Sequence, residues 1–216
     1  MYMESIENYL DILYNMENQD HITQSEILLL KDLSHHNDDE IRTYVARNLG
    51  LFYSYEAEAI LVSMINDKNE QVRTEVCDSL GNSKSKDILK VLKPKIFDHY
   101  FLVRGYAVLS IADITLKAGI DVDIRNFLQV SFRKERSTWV QIAYARSLYL
   151  LGEKEMLSFL LEKLNHRYYS IRIMVVRSLG DILNESNQQL ILSSLQNRLL
   201  IEKGVSVQRA IESICN

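Results

Sequence analysis

The sequence predicts an all-α fold, a superhelix of about six stacked helix pairs behind an N-terminal capping helix, forming a single domain over residues 1–216. Three observations lead there. The 216 residues include one proline and seven glycines, so little in the chain breaks a helix, and 47% apolar residues suffice for a continuous core. An eleven-residue pattern returns six times. In each return the apolar residues fall on one helical stripe.

The first element is "MESIENYLDILYNM" (3–16), an amphipathic segment expected to cap the open end of the stack within residues 1–20, since terminal units need a polar outer face. Glu4, Glu7 and Asp11 stand where a secretion signal would carry basic residues, and no window approaches the roughly 18 apolar residues of a membrane span. A cytoplasmic protein with no membrane partner is therefore expected. Cys77 and Cys215 fit that setting as small core residues rather than a disulfide.

The repeats occupy 22–216. Their second helices are "EIRTYVARNLG" (40–50), "QVRTEVCDSLG" (71–81), "LVRGYAVLSIA" (102–112), "WVQIAYARSLY" (139–149), "SIRIMVVRSLG" (170–180) and "SVQRAIESICN" (206–216). Arg42, Arg73, Arg104, Gln141, Arg172 and Gln208 anchor the pattern at intervals of 31, 31, 37, 31 and 36 residues, a period that fits two short helices and two turns. A β-branched apolar residue precedes every anchor, and further apolar residues stand three and seven positions after it, which at about 100° per residue makes one stripe. Gly50, Gly81 and Gly180 then stand where a left-handed residue would end the helix. The first helices are read at 25–34, 56–66, 86–98, 155–165 and 188–200, with Pro94 kinking or dividing the third. The longer intervals put extra residues around 113–136 and 181–203.

These segments resemble HEAT repeats, in the short form of the phycobilisome-lyase-type HEAT proteins, whose second helix reads roughly V-R-x-x-A-x-x-x-L-G. The resemblance implies a right-handed α-α superhelix. It implies no single activity, because such arrays serve as protein-binding scaffolds, adaptors, lyase subunits and, in one branch, DNA glycosylases; some bacterial immunity proteins have similar folds.

An anchor arginine lies inside the apolar stripe, so its guanidinium needs an acceptor or is very costly to bury. Six residues earlier the sequence offers Asp67 for Arg73 and Asp98 for Arg104, where a carboxylate in the turn can also accept helix N-terminal amides. The resemblance implies an Asp/Arg ladder of this kind between units. Arg42 and Arg172 have His36 and His166 at that place, and Gln141 and Gln208 have Glu135 and Glu202, so the ladder is expected to be discontinuous.

Opposite the stripe, positions two, five and nine after each anchor are those that line the inner, concave face in this family's geometry. They include Tyr44, Arg47, Glu75, Asp78, Tyr106, Leu109, Arg146, Met174 and Arg177. Tyrosine, arginine and methionine on an exposed row are types enriched in protein interfaces, which makes this the expected partner-binding surface for a protein or peptide.

Motifs for catalysis, metals or cofactors are lacking: there is no dinucleotide fingerprint, P-loop, H-E-x-x-H or nucleophile elbow, and His35-His36 beside Asp38-Asp39 reads as turn chemistry. A non-enzymatic scaffold without cofactor is expected. A nucleic-acid partner is disfavoured by a pI near 5.8, although Arg146, Arg177 and Arg209 with "RKER" (133–136) form a local basic strip. Charge is unevenly spread. Residues 1–108 hold 11 Lys and Arg against 18 Asp and Glu, while residues 109–216 hold 14 against 11. The acidic N-terminal end can steer a basic partner, a toxin among them if the chain is an immunity protein.

Overall fold

The computed structural model describes the backbone of residues 2–119 and 121–215 and the side chains of residues 6–119 and 121–215, and these residues form helices and turns throughout. The helices divide into two compact units, Met1–Ala118 and Gly119–Asn216. The first holds α1 (Tyr2–Met16), α2 (Gln24–Leu33), α3 (Asp39–Leu51), α4 (Tyr55–Met64), α5 (Glu70–Leu80), α6 (Ile88–Leu92) and α7 (Phe101–Lys117). The second holds α8 (Val122–Phe132), α9 (Thr138–Leu150), α10 (Met156–Lys163), α11 (Tyr169–Asp181), α12 (Gln188–Leu199) and α13 (Val205–Cys215). After α1 these make six pairs, each second helix carrying one anchor.

The stripe read from the sequence is the core. Ile41, Val72, Val103, Val140, Ile171 and Val207 are buried, as are Val45, Val76, Ala107, Tyr144, Val175 and Ile211. Side-chain caps mark the starts of α2, α3, α4, α5 and α8. Thr23 forms a capping box with Glu26 at α2, and Asp38 and Asn69 each take two backbone amides at the starts of α3 and α5. Pro94 divides its helix as expected: α6 stops at Leu92 and a 3-10 turn, Lys93–Phe97, follows. Of the extra residues between the third and fourth anchors, several lengthen α7, which runs 17 residues to Lys117.

The glycine expectation is corrected. Gly50 and Gly180 lie inside α3 and α11, and Gly81 caps α5 with φ −59, ψ −20; the left-handed glycines are Gly119 and Gly152. Close approach, not backbone chirality, selects glycine at Gly50 and Gly81. A Cβ on Gly50 would lie 2.4 Å from Ser79 Oγ, and one on Gly81 would lie 2.8 Å from Ser110 Oγ. Those serines stand six residues after their anchors and donate to the preceding second helix, Ser79 to the Ala46 carbonyl at 2.9 Å and Ser110 to the Cys77 carbonyl at 2.7 Å. Asn48 holds the same position in the first repeat and donates to the Leu13 carbonyl at 3.1 Å. Helix α1 thus sits against α3 as a preceding second helix would, with Leu13 and Met16 buried.

Candidate binding face

The buried arginines are structural, but the sequence pairing is off by one repeat. The Asp67 carboxylate binds Arg42, at 2.7 and 2.9 Å, and the Asp98 carboxylate binds Arg73, at 2.9 and 3.0 Å. What Arg73 takes from Asp67, and Arg104 from Asp98, is the main-chain carbonyl, at 2.8 and 3.0 Å. That bond from the anchor to the carbonyl six residues earlier recurs in all six repeats, including Gln141 to Glu135 and Gln208 to Glu202. A carbonyl belongs to every residue type, so His, Asp and Glu can alternate there.

Their side chains share a second task. Asp67, Asp98, Glu135 and Glu202 each accept the backbone amide two residues on, and His36 and His166 do so through Nδ1. An acid at this place is needed only when the previous anchor is an arginine. The sequence shows that rule once the register is shifted: Arg42, Arg73, Arg104 and Arg172 are followed in the next turn by Asp67, Asp98, Glu135 and Glu202, whereas Gln141 is followed by His166.

The pairs are charged and fixed. Hydrogen bonds to Asp67 and Asp98 raise the Arg42 and Arg73 guanidinium pKa values. Burial alone would push the Asp67 carboxyl up, but the bonds from Arg42 and the Asn69 amide more than offset this and hold it low; Asp98 behaves alike through Arg73 and Tyr100. Glu202 has the fullest set, with both Arg172 and Arg198 on its carboxylate plus the Lys203 and Gly204 amides, and sits at about 2. Its side chain is wholly buried.

The row opposite the stripe is more tied together than the sequence shows. In the first unit Arg47 binds Glu75 of the next repeat at 3.1 Å, reaches Glu17 at 3.6 Å and lies over the Tyr44 ring at 5.1 Å. Glu17 follows the cap helix, and nothing in the repeat pattern assigns it here. Asp78 is exposed on this face, yet crowding by the protein, followed by the nearby Glu75 and Asp113 carboxylates, pushes its carboxyl up to about 6. Tyr106 and Leu109 on α7 are half-buried.

In the second unit Ala143 is buried, Met174 packs partly against the core, Arg177 is exposed, and Arg146 is mostly covered and paired with Asp181 at 3.1 Å. A nucleic-acid strip through Arg146 would thus begin with a guanidinium already answered. The other candidate groups are local. His36 caps its turn, His35 Nδ1 meets Ser34 Oγ at 2.8 Å, and Cys77 is buried with its thiol pushed up to about 12 by burial. On the opposite row α2 and α4 leave a groove of about 350 Å³ between Ile27, Leu28, Ala59 and Ile60.

Stacked helix pairs with anchored turns and an exposed second-helix row define a helical-repeat protein. Residues 27–114 match the family model of HEAT repeats, and that stretch is a HEAT-repeat array. Among solved structures the chain is similar to the complex of CpcE and CpcF of phycocyanin lyase from Nostoc sp. PCC7120, at 17% identity and TM-score 0.52 over 92% of this chain and 95% of that one. It is also similar to an engineered protein (19%, TM-score 0.45, 88% and 95%) and to human deoxyhypusine hydroxylase (14%, TM-score 0.46, 95% and 88%). No curated protein matches the sequence. At 17% identity the likeness to the Nostoc structure shows the all-helical fold alone. No helix is long and apolar enough to cross a membrane, among the described residues.

Proposed function

We propose that the chain is a non-catalytic scaffold that binds a protein, taking a basic segment of its partner on the second-helix face of the first unit. The observation that carries this is an acidic cluster in which Glu17 and Glu75 reach Arg47, while Asp78, with Glu75 and Asp113 nearby, has its carboxyl pushed up to about 6 by burial first and by those two carboxylates second. A lysine or arginine brought beside Asp78 would answer a carboxylate whose charge is disfavoured by burial and by its acidic neighbours. Support also comes from HEAT repeats being generally protein-interaction scaffolds, and from the Nostoc lyase chains being found as a complex. An immunity protein masking a basic toxin is one form the same binding would take.

The test is anisotropy of a labelled Lys/Arg-rich peptide against the full chain. Binding is expected to weaken with salt, and to weaken at least tenfold in a Glu75→Gln/Asp78→Asn variant. If that variant binds as tightly as the parent, the partner site lies elsewhere. A cellular check is affinity capture with the Glu75→Gln/Asp78→Asn variant, which should lose partners that the parent retains.

A further inference from the structure

The turns between first and second helices differ in what they expose. Those before α3 and α5 are polar and acidic, with Asp38, Asp67 and Asn69 among their residues, and the one before α7 is flanked by exposed Phe97 and Phe101. In the second unit the turn before α11 exposes Tyr168 and Tyr169, and the turn before α13 exposes Leu200, Ile201 and Val205; Leu200 is 85% and Ile201 64% accessible.

These two turns lie side by side. Arg172 bonds both to the His166 carbonyl of one and to the Glu202 carboxylate of the other, Arg198 reaches Asn165 at 3.3 Å, and a Cβ on Gly204 would stand 3.8 Å from that of Tyr169. The five side chains therefore make one apolar patch at the edge of the unit. It is separate from the face of α13 that exposes Arg209, Glu212 and Ser213.

The charge around the patch has one sign. Arg167 stacks over Tyr168 at 4.5 Å, Lys203 is exposed, and the corresponding turn of the preceding repeat exposes Arg133, Lys134 and Arg136. The two carboxylates of these three turns are engaged: Glu202 is buried under its arginines, and Glu135 accepts the Arg136 and Ser137 amides.

We infer that this edge of the second unit is a docking surface for an anionic lipid bilayer, with Tyr168, Tyr169, Leu200, Ile201 and Val205 entering the interfacial layer and the flanking cations meeting phosphate headgroups. Basic residues beside the patch match a negative membrane surface. Tyrosines suit the headgroup level, and exposed aliphatic side chains at turns gain by leaving water for the acyl boundary. The aliphatic residues decide against nucleic acid, whose bases stack on aromatic rings and whose phosphates seek cations, leaving Leu200 and Ile201 with no role. Surface docking requires no spanning helix.

The test is flotation of the full chain with vesicles of phosphatidylcholine alone and with about 30 mol% phosphatidylserine added, at low and high salt. Binding to the anionic vesicles, weakened by salt, is expected. Leu200→Ser/Ile201→Ser should lower vesicle affinity at least tenfold, and Arg167→Glu or Lys203→Glu by roughly fivefold or more each. Both side chains of the double variant are solvent-exposed, so an unchanged melting curve verifies its fold. Failure to float with either vesicle overturns the inference. So does anionic binding that the double variant retains, or a patch that instead holds two copies together or a single-stranded oligonucleotide.

Discussion

Neutralising Glu202 by Glu202→Gln is expected to be the most costly single change in the turn network. Its carboxylate sits at about 2 instead of the ordinary glutamate value of 4.5, because Arg172 and Arg198 donate to it and the Gly204 amide adds a further bond. At about 1.4 kcal/mol per pKa unit, this shift corresponds to about 3 kcal/mol of stability at neutral pH. The figure agrees with the 3–5 kcal/mol or so expected when a buried ion pair loses one partner, and here the charges stranded by the change would be Arg172 and Arg198, whose side chains are 10% and 14% accessible. The folded-state pKa is depressed, so the stabilisation is complete above the unfolded-state value and is lost as pH falls from about 5 towards 2. Urea unfolding of parent and variant, followed by amide exchange of α11 and α13, should therefore differ by about 3 kcal/mol at pH 7 and by roughly 1 kcal/mol at pH 3. A difference under about 0.5 kcal/mol at pH 7, or one that does not shrink in acid, would refute the reasoning.

Other expectations rest on separate contacts. Gly50→Ala places a methyl 2.4 Å from Ser79 Oγ and 3.1 Å from its Cα, so about 1–3 kcal/mol should be lost by thermal unfolding, and trimming Ser79 to Ala should not restore it because the Cβ also lies 2.7 Å away. Asp78 should titrate with a midpoint near 6 by carboxyl-carbon NMR, and Glu75→Gln should lower that midpoint. Because the folded-state pKa of Asp78 is raised, its charge opposes folding above about pH 6 and has no effect below about 4; Asp78→Asn should then stabilise the protein only at the higher pH. Leu13→Ala should cost about 2–5 kcal/mol and speed amide exchange in α1 and α3, since Leu13 is fully buried where the cap helix meets the first repeat.

Much of the architecture is legible in the sequence because it is written six times. A stripe that recurs in register identifies the second helices, their buried face and the turn that carries each anchor, and a lone proline marks the division between α6 and the 3-10 turn. The partner of each arginine is less legible. A spacing of six residues within one repeat looks closer than one of 25 across two, yet the within-repeat bond goes to a carbonyl, and the carboxylate turns to the guanidinium of the preceding unit. The two glutamine anchors held the clue, since a glutamine needs a carbonyl but no counter-charge.

The sequence by itself determined the helical stack, its core and the exposed row, because periodicity alone decides which residues can share a face. The tertiary structure decided what lies across from what. Packing of successive helices made Gly50 and Gly81 points of close approach, brought Glu17 from outside the repeat pattern to Arg47, and covered Ala143 and most of Arg146 on a row predicted to be open. It also set two turns side by side so that Tyr168, Tyr169, Leu200 and Ile201, 32 positions apart from first to second pair, became one surface. Such contacts depend on the distance and rotation between repeats, which side-chain volumes set jointly and no single segment encodes.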